Sequence, residues 1–194
     1  MSSDWTPIAL SRDVPDGVTR AVCLEGSELV IWRGAGEAHV WEDRCPHRGM
    51  RLSLGFVRDG ALNCLYHGWQ YGASSSCVRI PAHPDLIVPP TIKANAYPTR
   101  EAGGLIWVGK QGAGALPALP ATRTPVLSLA VATDGVEAQG LMRDLDGGRL
   151  HVFWHRVEPG KVMLHGVIEG SADVSRAAAL MRQMRTQYEE GVAA

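Results

Sequence analysis

The sequence has little cysteine, no excess of charge and no long apolar run. Four cysteines in 194 residues, at 23, 45, 64 and 77, are too few to build the fold on disulfides. In a cytoplasmic protein such residues bind metal, do chemistry or pack. The 19 Lys and Arg nearly cancel the 20 Asp and Glu, leaving a net charge of −1. A balance this even argues against a nucleic-acid binder, which would need a basic surface to meet phosphates. No apolar stretch approaches the ~18 residues of a membrane span. The start, Met1-Ser2-Ser3-Asp4-Trp5, lacks the positive residues and apolar core of a signal peptide. The expectation is a soluble cytoplasmic protein without a membrane partner. Turn formers are plentiful: 22 Gly and 12 Pro suit a turn-rich β protein, not a helical bundle.

Short runs of Val, Ile, Leu and Trp at 21–24, 28–32 and 37–41 read as strands, with Gly26-Ser27 and Gly34-Ala35-Gly36 as the turns between them. The run 28–32 is nearly continuous, as in a strand covered on both faces. Further strands are expected near 56–57, 62–64, 92–96 and 105–108. Nothing before residue 110 keeps a helical period for three turns. Residues 113–125 are rich in Pro, Ala and Gly and read as a linker or surface strap. Beyond it, 149–157 and 162–168 flank Glu158-Pro159-Gly160-Lys161, whose Pro and Gly fit a type II turn and hence a hairpin. Residues 172–190 read as a helix with Ser171 as N-cap. Its apolar stripe is Val174, Ala177, Leu180, Met181, Met184 and Tyr188. The expected organisation is a domain over 1–112, the linker 113–125 and a small hairpin-plus-helix extension over 126–194. The fold class is mainly β: a small antiparallel β-sandwich with a C-terminal β-hairpin and α-helix.

Two segments carry chemistry: Cys45-Pro46-His47-Arg48-Gly49 and Cys64-Leu65-Tyr66-His67-Gly68-Trp69. Each offers one thiol and one imidazole, followed by a glycine that permits a tight turn. A [2Fe–2S] cluster needs four protein ligands, and two thiolates on one iron with two imidazoles on the other satisfy it. Neutral imidazoles in place of two thiolates remove negative charge, so the potential rises to roughly −150 to +300 mV. Pro46 stiffens the first loop, and Trp69 and Tyr66 are placed to shield a cluster from water. A zinc ion would also accept two cysteines and two histidines, which would make the chain a structural or regulatory module.

Residues 1–112 resemble the Rieske domain of the ring-hydroxylating and demethylating Rieske non-haem iron oxygenases. The likeness rests on Cys45-Pro46-His47-Arg48-Gly49-Met50-Arg51-Leu52-Ser53-Leu54-Gly55 and on Cys64-Leu65-Tyr66-His67-Gly68-Trp69-Gln70-Tyr71. Ile80-Pro81-Ala82 and Gly104-Leu105-Ile106-Trp107-Val108 add to it, as does the stretch 5–17. The resemblance implies that Cys45 and Cys64 ligate one iron and His47 and His67 the other, at the tips of two loops. It also implies a reductase or oxygenase as protein partner, and a homo-oligomer.

Departures from the family are equally informative. Met50 and Tyr66 stand where respiratory Rieske proteins carry a disulfide, and Leu65 replaces a proline. Cys23 is expected buried in a strand and Cys77 exposed in the loop Ser74-Ser75-Ser76-Cys77, both as structural residues. The residues after Gly112 are too few for the family's catalytic domain with its mononuclear iron. His151 and His155, with Asp144 and Asp146 upstream, share one strand face, but their spacing does not match that iron site. They and His165 are read as surface histidines of a hairpin. Three functions remain open: a Rieske-type electron carrier in an oxygenase system, a shortened terminal oxygenase subunit, and a zinc-bound module.

Overall fold

Short β-branched and aromatic runs, each closed by a turn residue, set the architecture. The computed structural model describes residues 4–116, 123–134, 136 and 140–191. Strand β1 (Trp5–Leu10) precedes β2 (Thr19–Leu24), β3 (Ser27–Gly34) and β4 (Glu37–Glu42). The stretch around the two Cys-His segments supplies β5 (Phe56–Arg58), β6 (Ala61–Asn63), β7 (Gln70–Tyr71) and β8 (Cys77–Arg79). Then come β9 (Ala96–Tyr97), β10 (Thr99–Ala102) and β11 (Leu105–Gly109). The last third holds β12 (Thr124–Val131), β13 (Leu141–Leu145), β14 (Gly148–Glu158), β15 (Lys161–Gly170) and helix α1 (Val174–Glu189). The paired strands run antiparallel, so the fold is mainly antiparallel β with one C-terminal helix. Among the described residues no helix is long and apolar enough to cross a membrane.

Contacts divide the chain into two compact units. One comprises Val14–Cys23 and Ser27–Thr99; the other comprises the residues up to Asp13, Leu24–Gly26 and everything from Arg100 on. The first unit holds two four-stranded sheets, ordered β2-β3-β4-β9 and β5-β6-β7-β8. They share one core, built from Val30, Trp32 and Trp41 on one sheet and Leu62, Tyr71 and Cys77 on the other. Trp32 and Trp41 meet edge-on at 4.9 Å, a geometry that ring quadrupoles favour. The run Leu29–Trp32 is fully buried, as its continuous hydrophobicity requires. Hairpins β3–β4 and β5–β6 turn through Ala35-Gly36 and Asp59-Gly60, both residues at positive φ, which matches the right-handed strand twist.

In the second unit β1, β11 and β10 form a three-stranded sheet, and β12-β15-β14-β13 form a four-stranded one. The expected hairpin is present as β14–β15, with Glu158 opposite Lys161 and Gly160 at φ +76°. It is longer than expected and lies inside a sheet, because β12 and β13 flank it. Strand β12 begins at Thr124, within the expected linker; residues 117–122 of that linker lie outside the described residues. The expected boundary at 112 followed composition, whereas packing places β1, β10 and β11 with the tail. Trp5, Leu10, Leu105 and Trp107 share a core with Val167, and Phe153 packs against it. Helix α1 covers the opposite sheet face with Ala177, Ala178, Met181 and Met184, while Val174 is exposed. Its N-cap is Asp173, whose carboxylate accepts from the Arg176 N–H at 2.9 Å. The expected cap, Ser171, instead donates to the Gly147 carbonyl.

Candidate metal centre

The two Cys-His segments fold into loops closed by the same pair of backbone hydrogen bonds. In the first, the Cys45 N–H donates to the Met50 carbonyl and the Gly49 N–H to the Cys45 carbonyl, each at 2.8 Å. In the second, the Cys64 N–H donates to the Trp69 carbonyl at 2.9 Å and the Gly68 N–H to the Cys64 carbonyl at 3.0 Å. Each closure places a glycine four residues after the cysteine. Gly49 and Gly68 take φ +72° and +68°, where a Cβ is disfavoured. The first loop is also fastened at its base. The buried Asp43 carboxylate accepts from the Ser53 N–H at 2.7 Å and the Ser53 hydroxyl at 2.6 Å.

Sulfur and nitrogen donors separate into two pairs. Cys45 and Cys64 are 3% and 2% exposed and belong to the core of this unit. The Cys64 thiol is pushed up, first by burial, with the neighbouring Cys45 thiol adding to the effect through charge and hydrogen bonding. Tyr71, fully buried, places its Oη 3.2 Å from Cys45 Sγ. Burial, followed by the Cys45 contact, drives its phenol far above the ordinary range, so it stays a protonated donor. The imidazoles lie toward solvent. His47 and His67 have ring centroids 4.7 Å apart. His47 stacks on Trp69 at 4.2 Å, nearly parallel, and Tyr66 lies against His67 at 3.8 Å. Desolvation, then His67 and Arg48, hold the His47 pKa below its usual value, which favours the neutral imidazole. Trp69 is half-buried. Tyr66 is 57% exposed and flanks the site without sealing it.

The donor chemistry fits a two-iron centre: a buried, mutually contacting thiol pair and an outer imidazole pair, on two loops of matching closure. Among the described residues no three His, Cys, Asp or Glu side chains converge as a single-ion site. The two remaining cysteines reverse their expected places. Cys77 is buried in β8 opposite Tyr71, because the strand begins directly after the serine turn; Cys23 is only half-buried. Burial pushes the Cys77 thiol up, and Cys45 is close enough to contribute.

The tail histidines are not surface residues either. His151, His155 and His165 are all buried. His155 Nδ1 meets His165 Nε2 at 3.1 Å, and Ser128 Oγ meets His165 Nδ1 at 2.8 Å. His151 Nε2 pairs instead with Glu169 at 2.8 Å, and Asp144 pairs with Arg149. Period-two alternation correctly put 151 and 155 on one face, but each has a different partner.

Comparison with known proteins agrees with this geometry. Residues 4–95 match the family model of the Rieske [2Fe-2S] domain. The chain is 42% identical over 107 residues to the oxidoreductase NdmD of Pseudomonas putida, covering 54% of this chain and 18% of that protein. It is 31% identical over 182 residues to the chloroplastic pheophorbide a oxygenase of Oryza sativa subsp. japonica, covering 89% of this chain and 34% of that protein. The matches thus span about a third or less of these curated relatives. A crystal structure of dicamba monooxygenase with non-heme iron and dicamba superposes with a TM-score of 0.75 at 15% identity, covering 97% of this chain and 86% of that one. That likeness is one of fold.

Proposed function

We propose that residues 4–95, which match the family model of the Rieske [2Fe–2S] domain, hold such a cluster between the two loops, and that the chain relays single electrons within an oxygenase system. The observation that carries this is the segregation of donors: Cys45 and Cys64 inside, His47 and His67 outside. On this reading Cys45 and Cys64 ligate one iron, and His47 and His67 the other. A bound cluster of this type supplies one-electron chemistry at roughly −150 to +300 mV.

The chain's own residues do the rest. The core around Trp41, Leu52 and Leu62 keeps water from the thiolates. The Tyr71 hydroxyl donates to Cys45 Sγ and stabilises negative charge there. Trp69 fixes the plane of His47, and the exposed edge of His67 is the point at which a partner can approach. The partners are proteins, a reductase or an oxygenase component.

A second reading makes the chain oxygenase-component material, because the fold likeness extends over 97% of it. The separate pairings of His151 and His155 weigh against a mononuclear iron there. One experiment addresses both readings. After anaerobic reconstitution with iron and sulfide, the carrier gives two irons and two sulfides per chain and a rhombic electron-spin-resonance signal on reduction. Cys45→Ser loses both. A third iron per chain moves the assignment to the oxygenase reading. A single zinc with no signal removes both.

A further inference from the structure

The surface around the imidazole pair has a composition that the proposed cluster does not need. The segments 44–51 and 64–93 carry Arg44, Arg48, Arg51, Arg79 and Lys93 against a single acid, Asp85. Three nearby carboxylates have partners of their own. Glu28 pairs with Arg51, Asp43 is turned inward onto Ser53, and Glu42 accepts from Asn95. Among the described residues Arg44 and Arg48 make no ion pair. Both flank His47. The Arg44 guanidinium lies 3.4 Å from where a Cβ on Gly49 would sit, and Arg48 is near enough to act on the His47 ring by charge.

Beside this basic rim are apolar side chains in water. Leu65 and Tyr66 on the second loop are each 57% exposed. Pro81 abuts Gly68, and the loop it starts carries the exposed Leu86 and Ile87. Apolar centre and charged rim are the anatomy of a transient protein interface, where charge sets the encounter rate and apolar contact the close approach.

We propose that this face docks an electron-transfer protein whose own surface is acidic, its carboxylates meeting Arg44 and Arg48 while its apolar patch meets Leu65 and Tyr66. The inference rests on the electron-relay reading and adds the chemistry of the partner to it. A basic partner would set like charges against Arg44 and Arg48 across the rim.

The test uses the reconstituted full chain and the Arg44→Glu/Arg48→Glu double variant. Two proteins of opposite sign serve as probes: a reduced plant-type [2Fe–2S] ferredoxin, which is acidic, and cytochrome c, which is basic. Electron transfer is followed by stopped flow at low and high ionic strength. Both chains must first show the same rhombic signal and iron content; absence of that signal in the unaltered chain overturns the cluster reading itself. With the signal present, the expected result is opposite responses. The double variant takes electrons from ferredoxin roughly tenfold more slowly at low salt and gives them to cytochrome c faster, and both differences shrink in high salt. Equal rates for the two chains, or a change of the same sign with both probes, overturns the docking surface and leaves the cluster assignment standing.

Discussion

Replacing Tyr71 by Phe isolates one hydrogen bond to a proposed ligand sulfur. The hydroxyl is fully buried and 3.2 Å from Cys45 Sγ, and the ring packs edge-on to Trp41 at 6.4 Å, a contact that Phe retains. The variant therefore loses an O–H donor and little else. Hydrogen bonds to charged groups contribute about 1.5–3 kcal/mol. Only the difference between the two redox states enters the potential, since the donor also serves the oxidised form. Taking a third to a half of that range gives roughly 0.5–1.5 kcal/mol in favour of the reduced state. At 59 mV per tenfold change for one electron, the potential of Tyr71→Phe should fall by roughly 20–65 mV. An anaerobic redox titration of both chains at one pH, followed by circular dichroism or electron spin resonance, measures it. A potential unchanged within about 10 mV, or raised, refutes the reasoning, because the donor would then not act on the sulfur that shares the added electron.

Two further outcomes test packing and pH dependence. At Gly55 an added methyl would overlap the Asn63 carbonyl oxygen and sit 2.9 Å from that of Leu52, both rigid backbone, so Gly55→Ala should cost about 3 kcal/mol or more by urea denaturation. At Gly166 the obstacle is the Met181 thioether, which can rotate away, so Gly166→Ala should cost only about 1–2 kcal/mol; the reverse order would be incompatible with this account. His39 stacks on Trp32 at 4.4 Å, and its Nε2 is buried without a partner. Burial holds its pKa below 6.5, with Glu37 opposing and Arg33 assisting. The unfolded chain then binds the extra proton more readily than the folded one. Stability is complete above the unfolded value and falls as pH drops through it toward the folded value. The melting temperature should therefore drop more between about pH 7.5 and 5.5 than that of His39→Phe, and parallel profiles would rule His39 out.

What was legible in the sequence was local. The two Cys-His loops could be read because each cysteine, histidine and glycine lies within five residues of the others, and one closure pattern serves both loops. Strand β3 was legible because its apolar run is continuous. The failures share a long-range cause. Strand β12 was hidden by Pro125 and by the composition before it, yet a proline near the start of an edge strand breaks no ladder, and β12 is an edge strand. Strand β13, Leu-Met-Arg-Asp-Leu, is a half-exposed edge whose polar residues carry no strong strand signal. Cys77 follows three serines, and only its pairing with Tyr71 across β7–β8 takes it inside. For the tail histidines the alternation was right. Whether their face met water was decided by residues some 50 positions earlier, where Trp107 packs edge-on against Phe153 at 5.4 Å.

The same packing explains why the contact units do not follow the boundary expected at 112. A four-stranded sheet has two faces to cover. Helix α1 covers one with Ala177, Ala178, Met181 and Met184. The other presents Phe153 and Val167, and the residues that meet them come from β1 and β11: Trp5, Leu10, Leu105 and Trp107. Arg12 reinforces this arrangement by donating to the carbonyls of Pro125 and Val126 at the start of β12. A division at 112 would strip both sets of side chains of their partners and leave large apolar rings in water. The proline- and glycine-rich composition after residue 112 marks a change in chain direction and exposure. Which strands belong together is set by which apolar faces need covering, and here strands from the two ends of the chain cover each other.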